Sequence, residues 1–200
     1  DPDNPEVRDT TILDAGGTGS AVYFGSGEGE SAVLTGFTIT GGSGRQEALA
    51  FEIEGEVQEV LSLYGGGILV LNESSPTITK NTIVNNVAER GGAILAYESS
   101  PVISDNRILD NISTGGGGGL FLVDSAALIS GNEILNNTAG RSGGGIAING
   151  NAASPLIIEN NTLSGNSAEN GAAFSLLDAD PQINQNSIVS NTATQNGGGV

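Results

Sequence analysis

From residue 65 onward, short apolar steps alternate with runs of glycine and asparagine. Gly65–Arg90 reads GGGILVLNESSPTITKNTIVNNVAER, and Gly91–Gly115 reads GGAILAYESSPVISDNRILDNISTG. Each unit holds three apolar steps: a Gly-Gly-Gly-Ile-x-Ile step, a Pro-x-Ile step and an Asn-x-Ile step. Alternation with period two over three or four residues predicts short strands. Gly, Asn, Ser, Thr and Pro recur too often for helices. The first asparagine falls at Asn81, Asn106, Asn132, Asn161 and Asn186, at intervals of 25, 26, 29 and 25. A second falls five residues later each time, at Asn86, Asn111, Asn137, Asn166 and Asn191. Extra residues enter mostly between the glycine run and the proline, which is how a solenoid varies its loops and keeps its core.

The expected fold is all-β: a solenoid with three short strands per rung and rungs of about 25–29 residues. Successive rungs pair in parallel at about 4.8 Å. The columns Asn81–Asn186 and Asn86–Asn191 are structural ladders, with asparagine taking the left-handed turn conformation and its amide bonding along the axis.

The residues that carry this pattern, Gly65–Ile68, Ser74–Ile78, Asn81–Ile83 and Asn86–Ala88 with their copies, give the chain a resemblance. It resembles the right-handed parallel β-helix proteins of the pectate-lyase-like superfold, and within it secreted bacterial and archaeal surface proteins. Residues 11–42 read as earlier rungs, with Phe37-Thr38-Ile39 in place of Asn-x-Ile. The resemblance implies a right-handed coil and leaves the function open, because the superfold hosts lyases, hydrolases, adhesins and inert fibres.

Residues 1–200 are thus read as one domain: early rungs over 1–42, an insertion over 43–64, and regular repeats over 65–200. The insertion contains FEIEGEV, with Phe51, Ile53 and Val57 expected on one side and Glu52, Glu54 and Glu56 on the other. It predicts a strand, hairpin or lateral flap against the coil, with a helix over part of 46–62 as the alternative. Asp1 opens without a capping helix and Asn196–Val200 begins a rung without finishing it. That is the pattern of a stretch of a longer chain, or of rungs that stack between subunits.

Composition narrows the chemistry. The chain has no Cys or His, 6 basic and 23 acidic residues, and a net charge of -17. Thiol nucleophiles and histidine-based triads are excluded. A nucleic-acid footprint is excluded too, and no apolar run is long enough to insert in a membrane. The position three before each proline or its equivalent holds Glu73, Glu98, Asp124, Ala152 and Asp178, with Asp180 close by. In-register carboxylates about 5 Å apart repel by roughly 1 kcal/mol in water and about 3 kcal/mol at an effective dielectric of 20. Either the side chains splay into solvent or the column holds a cation, for which Ca²⁺ is the candidate. Arg107 and Glu133 are expected to pair across neighbouring rungs.

No cluster of Asp or Glu with Arg or Lys reads as a catalytic site, so the sequence leans away from an enzyme. The first expectation is a non-enzymatic extracellular or cell-surface module, structural or adhesive. It would assemble with itself, head to tail or laterally, or bind glycans, with Ca²⁺ stabilising it. The alternative is a carbohydrate-active or carbohydrate-binding β-helix. Against that stand the aromatic residues, which look scattered, with Phe121 and Phe174 expected to point into the core.

Overall fold

The computed structural model describes every residue except Asp3, Glu54, 151–154 and Val200. Ala152 and Glu54, both named above, lie outside the described residues. The chain winds as a parallel β-solenoid. The glycine-run steps form a six-stranded sheet, from Val22–Phe24 through Ile68–Val70, Ile94–Tyr97, Leu120–Val123 and Ile146–Asn149 to Phe174–Leu177. The proline steps form a second six-stranded sheet and the asparagine steps a seven-stranded one. Three strands per rung is therefore right but incomplete. A fourth sheet of five short strands, beginning with Val87–Ala88 and Ile112–Ser113, follows the second asparagine of each rung. Its signal is the Asn-x-Ala or Asn-x-Ser step, too short to register as a strand by alternation.

The registers stack like on like. Ile68, Ile94, Leu120, Ile146 and Phe174 pair in sequence down one sheet. Ile83, Ile108, Ile134 and Leu163 do so down another. These side chains point inward and form one continuous buried core. A fully buried aliphatic side chain contributes about 1.5–3 kcal/mol, and repetition adds that gain at every rung.

Both asparagine columns are ladders, buried along most of their length. In the first, each side-chain amide donates to the next Oδ1, from Asn81 to Asn106 at 3.2 Å and onward to Asn186 at 2.9 Å. The same Oδ1 also accepts from the backbone N–H of the preceding asparagine. Each amide gives its other proton to a carbonyl one rung back, such as Asn132 to Ile103 at 2.8 Å. The second ladder, from Asn86 to Asn191, repeats this scheme. Where Phe37 replaces asparagine, its backbone N–H donates to Asn81 Oδ1 at 3.1 Å, and Gly42 does the same for Asn86.

The left-handed conformation expected of the ladder asparagines belongs to the residue before each. Lys80, Asp105, Gly131, Asn160 and Gln185 take positive φ, as do Asn85, Asp110, Asn136, Gly165 and Ser190. The left-handed residue turns its own side chain outward, which frees the next residue to send its amide in. Non-glycine residues pay roughly 1–2 kcal/mol there, and the satisfied ladder offsets it.

At the start, Pro5–Thr10 forms a short helix capped by the Asn4 side chain, which accepts from Glu6 N–H at 3.0 Å. The expectation of a start without a helix is thus corrected. Asn followed by Pro is a helix-start signal that repeat periodicity obscures. Thr38 Oγ1 donates to the Arg8 carbonyl at 3.1 Å and ties this helix to the asparagine-step sheet.

Asn132→Leu would leave the Asn106 backbone N–H and amide without their shared acceptor, and would take the Asn132 amide donor away from Asn161 Oδ1 and the Ile103 carbonyl. The expected loss is about 3–5 kcal/mol, measured by chemical denaturation. Gly117→Ala would place a Cβ 2.4 Å from the Leu120 carbonyl at φ +68°, with an expected loss of about 2–4 kcal/mol.

Candidate functional site: a groove beneath a lateral hairpin

The insertion is a hairpin, and the helical alternative over 46–62 is overturned. Arg45–Ile53 and Glu56–Tyr64 pair antiparallel, and Gly55 at the tip has φ +82°. Val22 pairs directly with Ile68, so the whole hairpin loops out of a single rung. The outgoing strand turns Leu49 and Phe51 toward the solenoid, where both are buried. Ile53 lies opposite Glu56, so odd residues of the outgoing strand share a face with even residues of the return strand. Val57 therefore lies on the face away from Phe51, 76% exposed, contrary to the sequence reading.

Beneath the hairpin is a second apolar cluster of Leu49, Phe51, Tyr64, Leu69, Leu71, Leu95, Phe121, Val123 and Ala147. It covers the outer face of the glycine-run sheet. Phe174 points into the solenoid core as expected, whereas Phe121 belongs to this outer cluster. The aromatic residues that look scattered in sequence converge here. Phe51 stacks on Tyr64 with centroids 6.2 Å apart and meets Tyr97 edge-on at 6.0 Å. The Arg90 guanidinium lies 4.9 Å from the Phe51 ring and 5.9 Å from that of Phe121. Arg45 covers Tyr23 at 4.2 Å.

Polar contacts fix the roof. Tyr97 Oη donates to the Ala50 carbonyl at 2.7 Å, on the free edge of the outgoing strand. Burial, then the nearby Glu98 and Asp124 carboxylates, push the Tyr97 phenol up to about 12. Burial also raises Tyr64, whose hydroxyl donates to the Val60 carbonyl. At the hairpin base, the Glu89 carboxylate accepts from Ser62 Oγ and from the Leu63 N–H. The Leu63 carbonyl accepts from the N–H groups of Glu89 and Arg90 at 2.9 and 3.2 Å.

Along the return strand runs a groove of about 570 Å³. One wall is Val60, Leu61 and Ser62. The floor is Phe121, Ala147, Asn149 and Ser175, and Leu176 and Leu177 form the far side. Glu89, Arg90 and Arg141 close one end. Two of only six basic residues in the chain thus meet here. Arg141 is exposed and makes no ion pair among the described residues. Beyond Asn149 a smaller cavity continues past Gly55, Asp124, Gly150 and Asp178, so the two ends carry opposite charge.

The acidic column lies on the turn after the glycine-run strands. Glu98, Asp124, Gly150 and Asp178 follow the in-register residues Tyr97, Val123, Asn149 and Leu177. All four take positive φ, as do Asn72 and Glu73, where this turn is one residue longer. Gly150 holds the register position between Asp124 and Asp178, and the Asp124 carboxylate fills the space that a Cβ there would occupy. Glu73, Glu98, Asp124, Asp178 and Asp180 are exposed. No three acidic side chains come together in an ion-holding group among the described residues. Under the column, Ser74, Ser99 and Ser125 are buried, and the last two bond locally, with Ser125 Oγ donating to the Val123 carbonyl at 2.8 Å. Ser74 Oγ donates to Glu28, whose carboxyl is held below its usual range by backbone hydrogen bonds, chiefly from Ser26, and by Ser74. Arg107 and Glu133 pair across rungs at 3.1 Å on a solvent face, as expected, where such pairs contribute under about 1 kcal/mol.

The geometry defines a class: a parallel β-solenoid with a roofed groove on its outer sheet. The family model described as right handed beta helix region matches residues 50–200. The chain belongs to that family. No curated protein and no solved structure matches it.

Tyr97 keeps its proton in the fold above the unfolded value near 10. Its contribution to stability is thus complete below pH 10 and lost as pH rises toward 12. Melting temperature should fall across that window, and Tyr97→Phe should flatten the fall, followed together with tyrosinate absorbance. Ca²⁺ requires six to eight oxygens at one point. Melting in EDTA and in millimolar Ca²⁺ should therefore coincide, and an upward shift of several degrees in Ca²⁺ would show that the column converges on an ion.

Proposed function

We propose that this domain is a non-catalytic recognition module of an extracellular or cell-surface protein, a rigid rod that presents one adhesive groove. The observation that carries the reading is the hairpin sealed onto the outer sheet. The repeated apolar and asparagine positions are consumed by the scaffold, whereas the hairpin breaks the repeat and creates the groove. Arg90 and Arg141 outnumber Glu89 at one end of that groove, on a chain of net charge -17. Such a local exception steers a partner with anionic groups to one place on an otherwise repellent surface. A rod with a continuous core and satisfied ladders supplies the stiffness of a display element. The regular polar faces outside the groove suit an extended surface protein.

The test uses immobilised pectate, alginate, xylan, gelatin and fibronectin. Protein-coated beads should be retained on at least one of these polymers, and the Arg90→Gln/Arg141→Gln double variant, with its melting temperature checked, should lose that retention. None of the polysaccharides should gain new reducing ends or unsaturated products. Cleavage of any of them would overturn the non-catalytic reading in favour of a carbohydrate-active one. Retention that is absent throughout, or undiminished in the double variant, would overturn the groove as the adhesive element.

A further inference from the structure

We infer that the groove takes an extended peptide strand, which adds to the free edge of the return strand Glu56–Tyr64. This rests on the recognition reading above and names the class of partner.

Strand geometry points to a peptide. In an antiparallel pair, the main-chain groups of alternate residues point toward the partner strand and away from it. The Leu63 N–H and carbonyl point away from the outgoing strand, because they bond Glu89 and Arg90. By the same alternation, Leu61 and Glu59 turn their N–H and carbonyl groups to the open edge, which borders the groove at Leu61, and no main-chain partner meets them there among the described residues. The opposite edge of the hairpin is occupied at Ala50 by Tyr97. The open edge thus presents donors and acceptors at sheet spacing beside a floor of Phe121, Ala147, Asn149 and Ser175, which is the arrangement that accepts an added strand. A saccharide would want exposed aromatic faces, and Phe121, the ring in the floor, is only 6% exposed.

Charge sets the direction. The groove is basic where the return strand ends, where Arg90 and Arg141 outnumber Glu89, and acidic near the hairpin tip, at Asp124 and Asp178. A strand that places a carboxylate at the arginines and an ammonium at the aspartates runs parallel to Glu56–Tyr64. Guanidinium groups bond carboxylates in bidentate fashion, which favours a free carboxyl terminus or an acidic residue at that end.

The probe is a synthetic peptide of about seven residues, to match the nine-residue return strand. It alternates valine and threonine between an amino-terminal lysine and a carboxyl-terminal aspartate. Titration calorimetry with the intact domain should give binding in the micromolar range, with a reversed-charge peptide about tenfold weaker or worse. N-methylation of alternate backbone amides should abolish binding. Arg141→Gln should weaken it about tenfold with an unchanged melting temperature. Leu61→Pro removes one N–H on the open edge and leaves the hairpin's internal bonds in place. It should abolish binding while the Tyr97 phenol keeps its raised titration. No binding of the forward peptide up to millimolar concentration would overturn the inference, as would equal binding of the N-methylated or reversed peptide. If bead retention is lost in the arginine double variant yet the peptides fail, only the peptide assignment falls. If an oligogalacturonate binds where the peptides do not, the occupant is a glycan.

Discussion

Each rung is held to the next by a buried amide that cannot be satisfied any other way. A ladder asparagine takes two protons on Oδ1 from the rung before it, and its Nδ2 gives protons both forward and back. In a narrow interior closed to solvent, a slip of one residue would orphan all of these groups at once, at about 1–3 kcal/mol for each. The aliphatic columns supply most of the stabilisation, but stacked isoleucines would tolerate a shift. The amides do not, and so they fix register. The left-handed turns before each ladder residue, the close approach of the glycine runs and the stacking of Ile on Ile follow from that constraint.

The same constraint explains which features the sequence discloses. A demand repeated at every rung appears as a period, and so both ladders, the glycine runs and the apolar steps are readable by counting. The acidic turn is readable in part, because Glu98, Asp124 and Asp178 keep register, whereas the longer turn at Asn72–Glu73 and the substitution of Gly150 shift the count. What occurs once has no period. Phe51, Tyr64, Tyr97 and Phe121 come from separate stretches of chain, and only the docked hairpin brings them together.

A signal for that docking was nevertheless present. Under the hairpin the glycine-run strands read ILVL, ILAY and LFLV, apolar at almost every position, while farther along IAIN and FSLL admit polar residues. A strand of a parallel sheet loses its alternation when both faces are covered. Leu120 and Leu122 face the core while Phe121 and Val123 face the hairpin, so a strand with only one covered face would place Phe121 wrongly in the interior. The groove begins where this double coverage ends, at Ala147 and Asn149.

The hairpin also changes how the rod would bear load. Stacked rungs touch only their neighbours, so tension along the axis would peel them one at a time. The hairpin is tethered in one rung yet shares an apolar cluster with Leu69, Leu95 and Phe121 from three successive rungs. It acts as a splint across them and divides the rod into a cooperative block and a tail of independent turns. A partner held in the groove sits at the boundary between the two. Its pull would therefore be passed to the splinted block, while the turns beyond remain free to yield and absorb strain.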